Sequence, residues 1–291
     1  MLFSELPLDH RLQKVLADKP FESMTDIQAR VVAPALKGND IVASSKTGSG
    51  KTLAFLVPTV HRLLNQKALS KQDPRVLILA PTRELAKQVF AEAKALTKGM
   101  RLQTQLIVGG ENYNDQIKLL RRNPDIIVGT AGRIADHLSS KSFFINGLEL
   151  LILDEADRML DLGFKDHLLM IDTFADHRKR QTMMFSATID KIDIDKLAKQ
   201  LLNSPARIVV GSATEQHAQI AQQYVFADHI EHKQQLLQKA LEQHEHNQAL
   251  VFVATREDTE KLAELLNKSG FDSIYLPAEL GQNQRTKGSN A

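Results

Sequence analysis

Unbroken apolar runs that alternate with amphipathic stretches constrain this chain more than any other feature. The runs lie at 41–43, 76–80, 105–108, 126–128, 148–153, 181–185 and 208–210. A stretch such as Leu150-Leu151-Ile152-Leu153 shows no polar alternation. That is the pattern of a strand covered on both faces in a parallel sheet. Helical periods fill the gaps, at 51–64, 83–96, 112–120, 133–138, 164–174 and 191–202. In the second of these, Leu85, Val89, Ala93 and Leu96 follow the helical repeat. Strand and helix in alternation predict βαβ units and a doubly wound α/β domain.

This first domain is expected over 30–210, with a polar linker at 211–218. The alternation then restarts, with strands expected at 222–226, 249–253 and 273–276 and helices at 233–244 and 258–268. The segment 219–291 is shorter than the roughly 100–150 residues of a typical domain. Its sheet is therefore expected to be partial and less stable than the first.

Composition excludes several classes. Lys and Arg number 37 against 35 Asp and Glu, so any nucleic-acid footprint must be local. The absence of cysteine excludes disulfides and thiolate metal sites, and a cytoplasmic location is expected. No apolar run approaches the roughly 18 residues of a membrane span, and no secretory signal is expected at the N-terminus. His217, His229, His232, His244 and His246 cluster, but without zinc-ligand spacing they read as a solvated face. The run Arg178-Lys179-Arg180 reads as a solvated loop.

Two motifs carry chemistry. Ser45-Lys46-Thr47-Gly48-Ser49-Gly50-Lys51-Thr52 stands between a strand and a helix. Its glycines let consecutive N–H groups turn inward on an anion, and the helix start adds a favourable dipole. Lys51 would reach the β- and γ-phosphates of ATP, and the Thr52 hydroxyl would ligate Mg²⁺. Ser45 stands where this pattern usually has its first glycine. Asp154-Glu155-Ala156-Asp157 follows directly on the run 148–153. Acidic residues at that strand end lie where open α/β sheets bind ligands. Asp154 would hold the metal, and Glu155 would polarise a water for attack on the γ-phosphate.

That tetrapeptide spells the motif of the DEAD-box RNA helicases, and other motifs resembling that family follow its order. Phe21 and Met24-Thr25-Asp26-Ile27-Gln28 resemble the adenine-reading motif, with Met24 in place of the usual proline. The region 1–29 is thereby expected to read the base, with Gln28 on the adenine edge and Phe21 stacked on the ring. Phe3 resembles the isolated upstream aromatic, and a hydrophobic anchor explains it equally well. Pro81-Thr82-Arg83-Glu84-Leu85, Gly109-Gly110 and Thr130-Ala131-Gly132-Arg133 resemble three RNA-contact motifs, with Ala131 in place of a proline. Pro81, Thr82, Arg83, Gly110, Thr130 and Arg133 are the candidate contacts, the two arginines pairing with phosphates. Ser186-Ala187-Thr188 resembles the motif that couples hydrolysis to strand separation, through Asp157.

The resemblance implies a RecA-like doubly wound parallel-sheet domain followed by a partial second one. It implies an RNA-stimulated ATPase that separates short duplexes, bound to RNA through the backbone and expected to be monomeric. In the second segment, Val251-Phe252-Val253-Ala254-Thr255-Arg256 and Gln282-Asn283-Gln284-Arg285 resemble two further motifs. The histidine-arginine-rich stretch that supplies arginine fingers has no counterpart in the 291 residues. Such a finger is worth about 10³–10⁵ in rate, so weak activity is expected. A non-catalytic ATP- and RNA-binding fragment is the alternative. A DNA translocase fits the adenine-reading motif and the acidic tetrapeptide less well.

Overall fold

The computed structural model describes residues 1–20, 23–46, 48–68, 70, 72–177, 179–189, 191–211, 221, 223–243 and 248–275. The chain divides into two compact units, Met1–Glu215 and Gln216–Ala291. Unit one holds seven strands in a single sheet, with every pairing parallel. The strands are β1 (Ile41–Ser44), β2 (Val76–Ala80), β3 (Thr104–Ile107), β4 (Ile126–Thr130), β5 (Leu150–Leu153), β6 (Gln181–Ser186) and β7 (Ala206–Val209). Their spatial order is β3-β4-β2-β5-β6-β1-β7.

The apolar runs now have a physical account. Along β2, Val76, Ile78 and Ala80 join one core cluster, while Leu77 and Leu79 join a second on the other face. In β5, Leu150 and Ile152 take the first face, Leu151 and Leu153 the second. Successive side chains point to opposite faces, and both faces are covered, so neither parity can be polar. The first face is covered by α1 (His10–Ala17), α2 (Asp26–Leu36), α3 (Lys51–Asn65) and α4 (Arg83–Leu96). The second packs against α5 (Tyr113–Leu120), α6 (Ala131–Ser139), α7 (Ala156–Asp161), α8 (Lys165–Phe174) and α9 (Ile192–Leu201). Helices α1, α2 and α7 were not marked by a long apolar period. Strand starts shift: β3 and β7 begin earlier than the runs at 105–108 and 208–210, and β5 begins later than the run at 148–153.

The edge of the sheet where the strands begin is locked by buried polar groups. Arg75 and Glu149, just before β2 and β5, form a two-pronged pair at 2.6 and 2.9 Å. The same guanidinium donates to the carbonyls of Leu63 and Gln66, where α3 ends. Asp40, just before β1, accepts from the Thr182 and Asn203 amides at 2.8 and 2.7 Å, and burial pushes its carboxyl up. Gln181 donates to the carbonyls of Ala35 and Asn39.

Unit two contains α10 (Ile230–Gln243) and α11 (Arg256–Lys268), the latter capped by Thr255 accepting from the Asp258 amide. The strands expected at 222–226, 249–253 and 273–276 do not form among its described residues. A strand is a shared hydrogen-bond ladder, and an apolar run alone does not supply the second partner. Phe226 is 91% exposed and Phe252 86%. Gln222 and the motif at 282–285 lie outside the described residues.

Removing one member of a buried pair strands the other charge. Glu149→Ala is therefore expected to lower the unfolding free energy of unit one by roughly 3–5 kcal/mol. Urea unfolding checks it, and a loss below about 1 kcal/mol would place the pair among ordinary surface contacts. Among the described residues of unit two only Ala263 and Leu266 are buried apolar side chains. Limited proteolysis is expected to cut unit two before unit one; the reverse order contradicts this ranking.

Candidate nucleotide site and nucleic-acid face

β6 stands between β1 and β5, paired in parallel with each. The loops leaving β1, β5 and β6 therefore emerge side by side. Ser45 bonds across to the Ser186 carbonyl at 3.4 Å, and the Ser44 hydroxyl donates to the Ala187 carbonyl at 3.1 Å.

The phosphate loop closes on itself. Gly48 and Gly50 take positive φ, 78° and 93°, which L side chains rarely adopt. Gly50 caps α3 from the left-handed region, and a Cβ there would meet Gln28 Nε2 at 2.5 Å and Thr25 Oγ1 at 2.9 Å. Lys51 is buried and donates to the Ser45 carbonyl at 3.0 Å, while the Ser45 and Ser49 hydroxyls bond each other at 2.7 Å. Lys46 and half-buried Thr52 flank this cradle. Thr47 lies outside the described residues.

Gln28 does not face solvent. It is 3% exposed, accepting from the Thr25 amide at 2.9 Å and donating to the Gly50 carbonyl at 3.1 Å. The residue expected to read adenine thus holds the phosphate loop through its own amide. Phe3 is buried in the first core cluster, as an anchor would be. Phe21 lies outside the described residues.

The acidic motif caps β5. Asp154 is 3% exposed, and its Oδ1 has no hydrogen-bond partner among the described residues. Burial pushes its carboxyl up to about 6, while Lys51 opposes this and Glu155 adds to it. An orphaned carboxylate oxygen near a lysine ammonium offers a hard-oxygen donor and a positive charge, the chemistry that suits Mg²⁺ and phosphate. Glu155 sits in the left-handed region at φ 53° and ψ 53°, which costs a non-glycine residue about 1 kcal/mol. Its carboxylate accepts from Arg158 at 3.1 Å. Asp157 accepts from the Ala187 amide at 3.2 Å and the Thr188 hydroxyl at 3.1 Å. Ser186 and Thr188 close a turn, with the serine hydroxyl donating to the Thr188 carbonyl at 2.9 Å.

The other half of the same edge, where β2, β4 and β3 end, carries the second set of residues. Pro81 is buried, and Thr82 caps α4 by accepting from the Leu85 amide. Arg83 is exposed and lies along Gly109-Gly110; a Cβ on Gly110, itself at φ 77°, would collide with the guanidinium. Thr130 ends β4 and accepts from the Gly109 amide at 3.3 Å. Arg133 departs from expectation: only 15% of its side chain is exposed, and it donates to the Glu111 carbonyl at 3.0 Å and Gln116 Oε1 at 2.8 Å. Three residues into α6, it folds over α5 rather than outward. The sequence reading passed over Gln116, His137 and Arg158. Each lies inside a helical period with no motif of its own, so only the tertiary packing reveals them.

Asp154→Asn is expected to stabilise the ligand-free protein. The native carboxyl, near 6, binds its proton more tightly than an unfolded one near 3.8. Wild type therefore trails the variant by up to about 3 kcal/mol above that window and recovers as pH falls through it. Paired urea titrations across the window test this, and a gap that stays constant on acidification refutes it.

Three comparisons bear on identity. Residues 25–197 match the DEAD/DEAH box helicase family. The chain is 41% identical over 285 residues to the ATP-dependent RNA helicase SrmB of Escherichia coli strain K12, covering 98% of this chain and 64% of that protein. It is 38% identical to the ATP-dependent RNA helicase RhlB of Pseudoalteromonas atlantica, covering 98% of this chain and 68% of that one. The crystal structure of a DEAD box protein from the hyperthermophile Methanococcus jannaschii aligns over all of this chain and 76% of that chain, with a TM-score of 0.66 and 34% identity. The chain thus spans about two thirds of the length of these curated relatives. A family match over most of unit one, on a parallel sheet whose β1, β5 and β6 loops converge as described, makes this chain a member of the DEAD/DEAH box helicase family.

Proposed function

We propose that this chain binds ATP with Mg²⁺ at the ends of β1, β5 and β6, binds RNA through its backbone at the ends of β2, β3 and β4, and couples ATP hydrolysis to local duplex separation. The observation that supports the reading most is Asp154, a buried carboxylate with an orphaned oxygen beside the Lys51 ammonium. The relatives' names as ATP-dependent RNA helicases support the same substrates.

Each residue's part follows from its surroundings. Lys51 exchanges the Ser45 carbonyl for phosphate oxygens, and the first amides of α3 add their partial positive charge. Thr52 and Asp154 would hold Mg²⁺ through oxygen atoms. The metal, when bound, screens charge that builds on the phosphate oxygens. Glu155 accepts a proton from the attacking water. Asp157 carries the state of that pocket to Ala187 and Thr188, the start of the segment leaving β6. On the RNA half, Arg83 and the N-termini of α4 and α6 meet phosphates. Such contacts fix position without reading sequence.

Turnover by this chain is expected to be slow. A non-catalytic ATP- and RNA-binding role is the second reading, favoured because no histidine-arginine-rich stretch occurs in the 291 residues. The experiment is nucleotide binding and ATP hydrolysis by the full chain, with and without RNA. Lys51→Ala is expected to weaken nucleotide binding at least tenfold, about 1.4 kcal/mol. Glu155→Gln is expected to keep binding and lose RNA-stimulated turnover. No turnover in wild type with intact binding selects the second reading, and no Mg²⁺-dependent nucleotide binding overturns both.

A further inference from the structure

The RNA half of the edge rests on a buried histidine that no motif includes. His137 is fully buried on α6, one turn beyond Arg133. Its ring stacks on Tyr113 of α5, with centroids 4.0 Å apart and planes 7° from parallel. Its Nε2 lies 3.0 Å from Gln116 Oε1. Its Nδ1 is buried and unpartnered among the described residues.

The proton positions follow from what each atom can do. Gln116 faces the Val108 carbonyl at 2.8 Å, and a carbonyl only accepts. The Gln116 NH₂ therefore points there, leaving Oε1 to receive Arg133 at 2.8 Å and His137 at 3.0 Å. His137 must donate from Nε2, which leaves Nδ1 bare. Burial, then the Arg133 charge, push this histidine down to about 4, so the neutral form is the resident one. Gln116 thereby joins Val108, the residue before Gly109-Gly110, to Arg133, the last residue of the Thr130–Arg133 motif.

We infer that His137, as the neutral Nε2–H tautomer, is a positioning residue that fixes Gln116 and Arg133 and so holds the two RNA-facing segments after β3 and β4 in register. The inference rests on the RNA reading proposed above. His137 touches no RNA itself. Without its donor, the Gln116 oxygen keeps only its bond to Arg133, so the Gln116 amide that reaches the Val108 carbonyl, just before Gly109 and Gly110, is held less firmly.

The test uses the full chain, a labelled single-stranded RNA and a labelled ATP analogue. His137→Phe keeps the stack on Tyr113 but loses the donor. It is expected to weaken RNA binding about five- to tenfold, the worth of one buried hydrogen bond, with nucleotide affinity unchanged. His137→Gln returns a donor and is expected to restore RNA affinity. Unchanged RNA binding in His137→Phe, or equal losses for both ligands, overturns the inference. Wild type that binds nucleotide but no RNA instead overturns the RNA reading on which it rests. Nitrogen NMR of wild type near neutral pH needs no variant: an Nδ1–H tautomer or an imidazolium at His137 overturns the inference.

Discussion

The parallel pairing of β6 with both of its neighbours is the constraint on which the rest depends. β1 and β5 lie far apart in sequence, and neither touches the other in the sheet. β6 gives each a ladder partner and sets a common register. That register puts Lys51, Asp154 and the Ser186–Thr188 turn at one level. A slip by one residue would send each strand's side chains to the opposite face. Because both faces are packed, such a slip would exchange the fitted side chains of both cores at once. The geometry of the pocket is therefore protected by the whole hydrophobic interior, not by the few bonds that cross it.

The sheet divides its labour between its two edges. Where the strands begin, Arg75, Glu149, Asp40 and Gln181 satisfy one another and the neighbouring backbone. Where they end, one oxygen of Asp154 and one of Asp157 have no partner among the described residues, and Arg83 is exposed. Cohesion is concentrated at one edge, which allows the other to hold groups in unfavourable settings. The order β3-β4-β2 then β5-β6-β1 further separates the candidate RNA half from the nucleotide half, with β2 and β5 as the seam. The Asp157 bonds to Ala187 and Thr188 lie on the nucleotide side of that seam.

Much of unit one was legible because the strands are short, doubly buried and bounded by motif residues. The runs at 76–80 and the period of α4 matched their elements to the residue. Residues far apart in sequence that meet through packing were not legible. Nothing local marks Arg75 for Glu149, or Gln116 for His137. Arg133 is a candidate phosphate contact by its motif alone, and its bond to Gln116 on α5 is carried by packing that the motif does not show. The bond from the Gln28 amide to the Gly50 carbonyl is likewise absent from the motif that marks Gln28 as a base contact. In unit two the apolar content of 249–253 suggested a strand, but a ladder partner is a property of the surrounding chain and not of the run.

Glu155 occupies a backbone conformation that suits glycine best, in the two-residue step between β5 and α7. Glycine there would relax the turn and erase the carboxylate; aspartate would keep the charge but withdraw it by one methylene. Natural variation at this position therefore has no route by which folding and chemistry improve together.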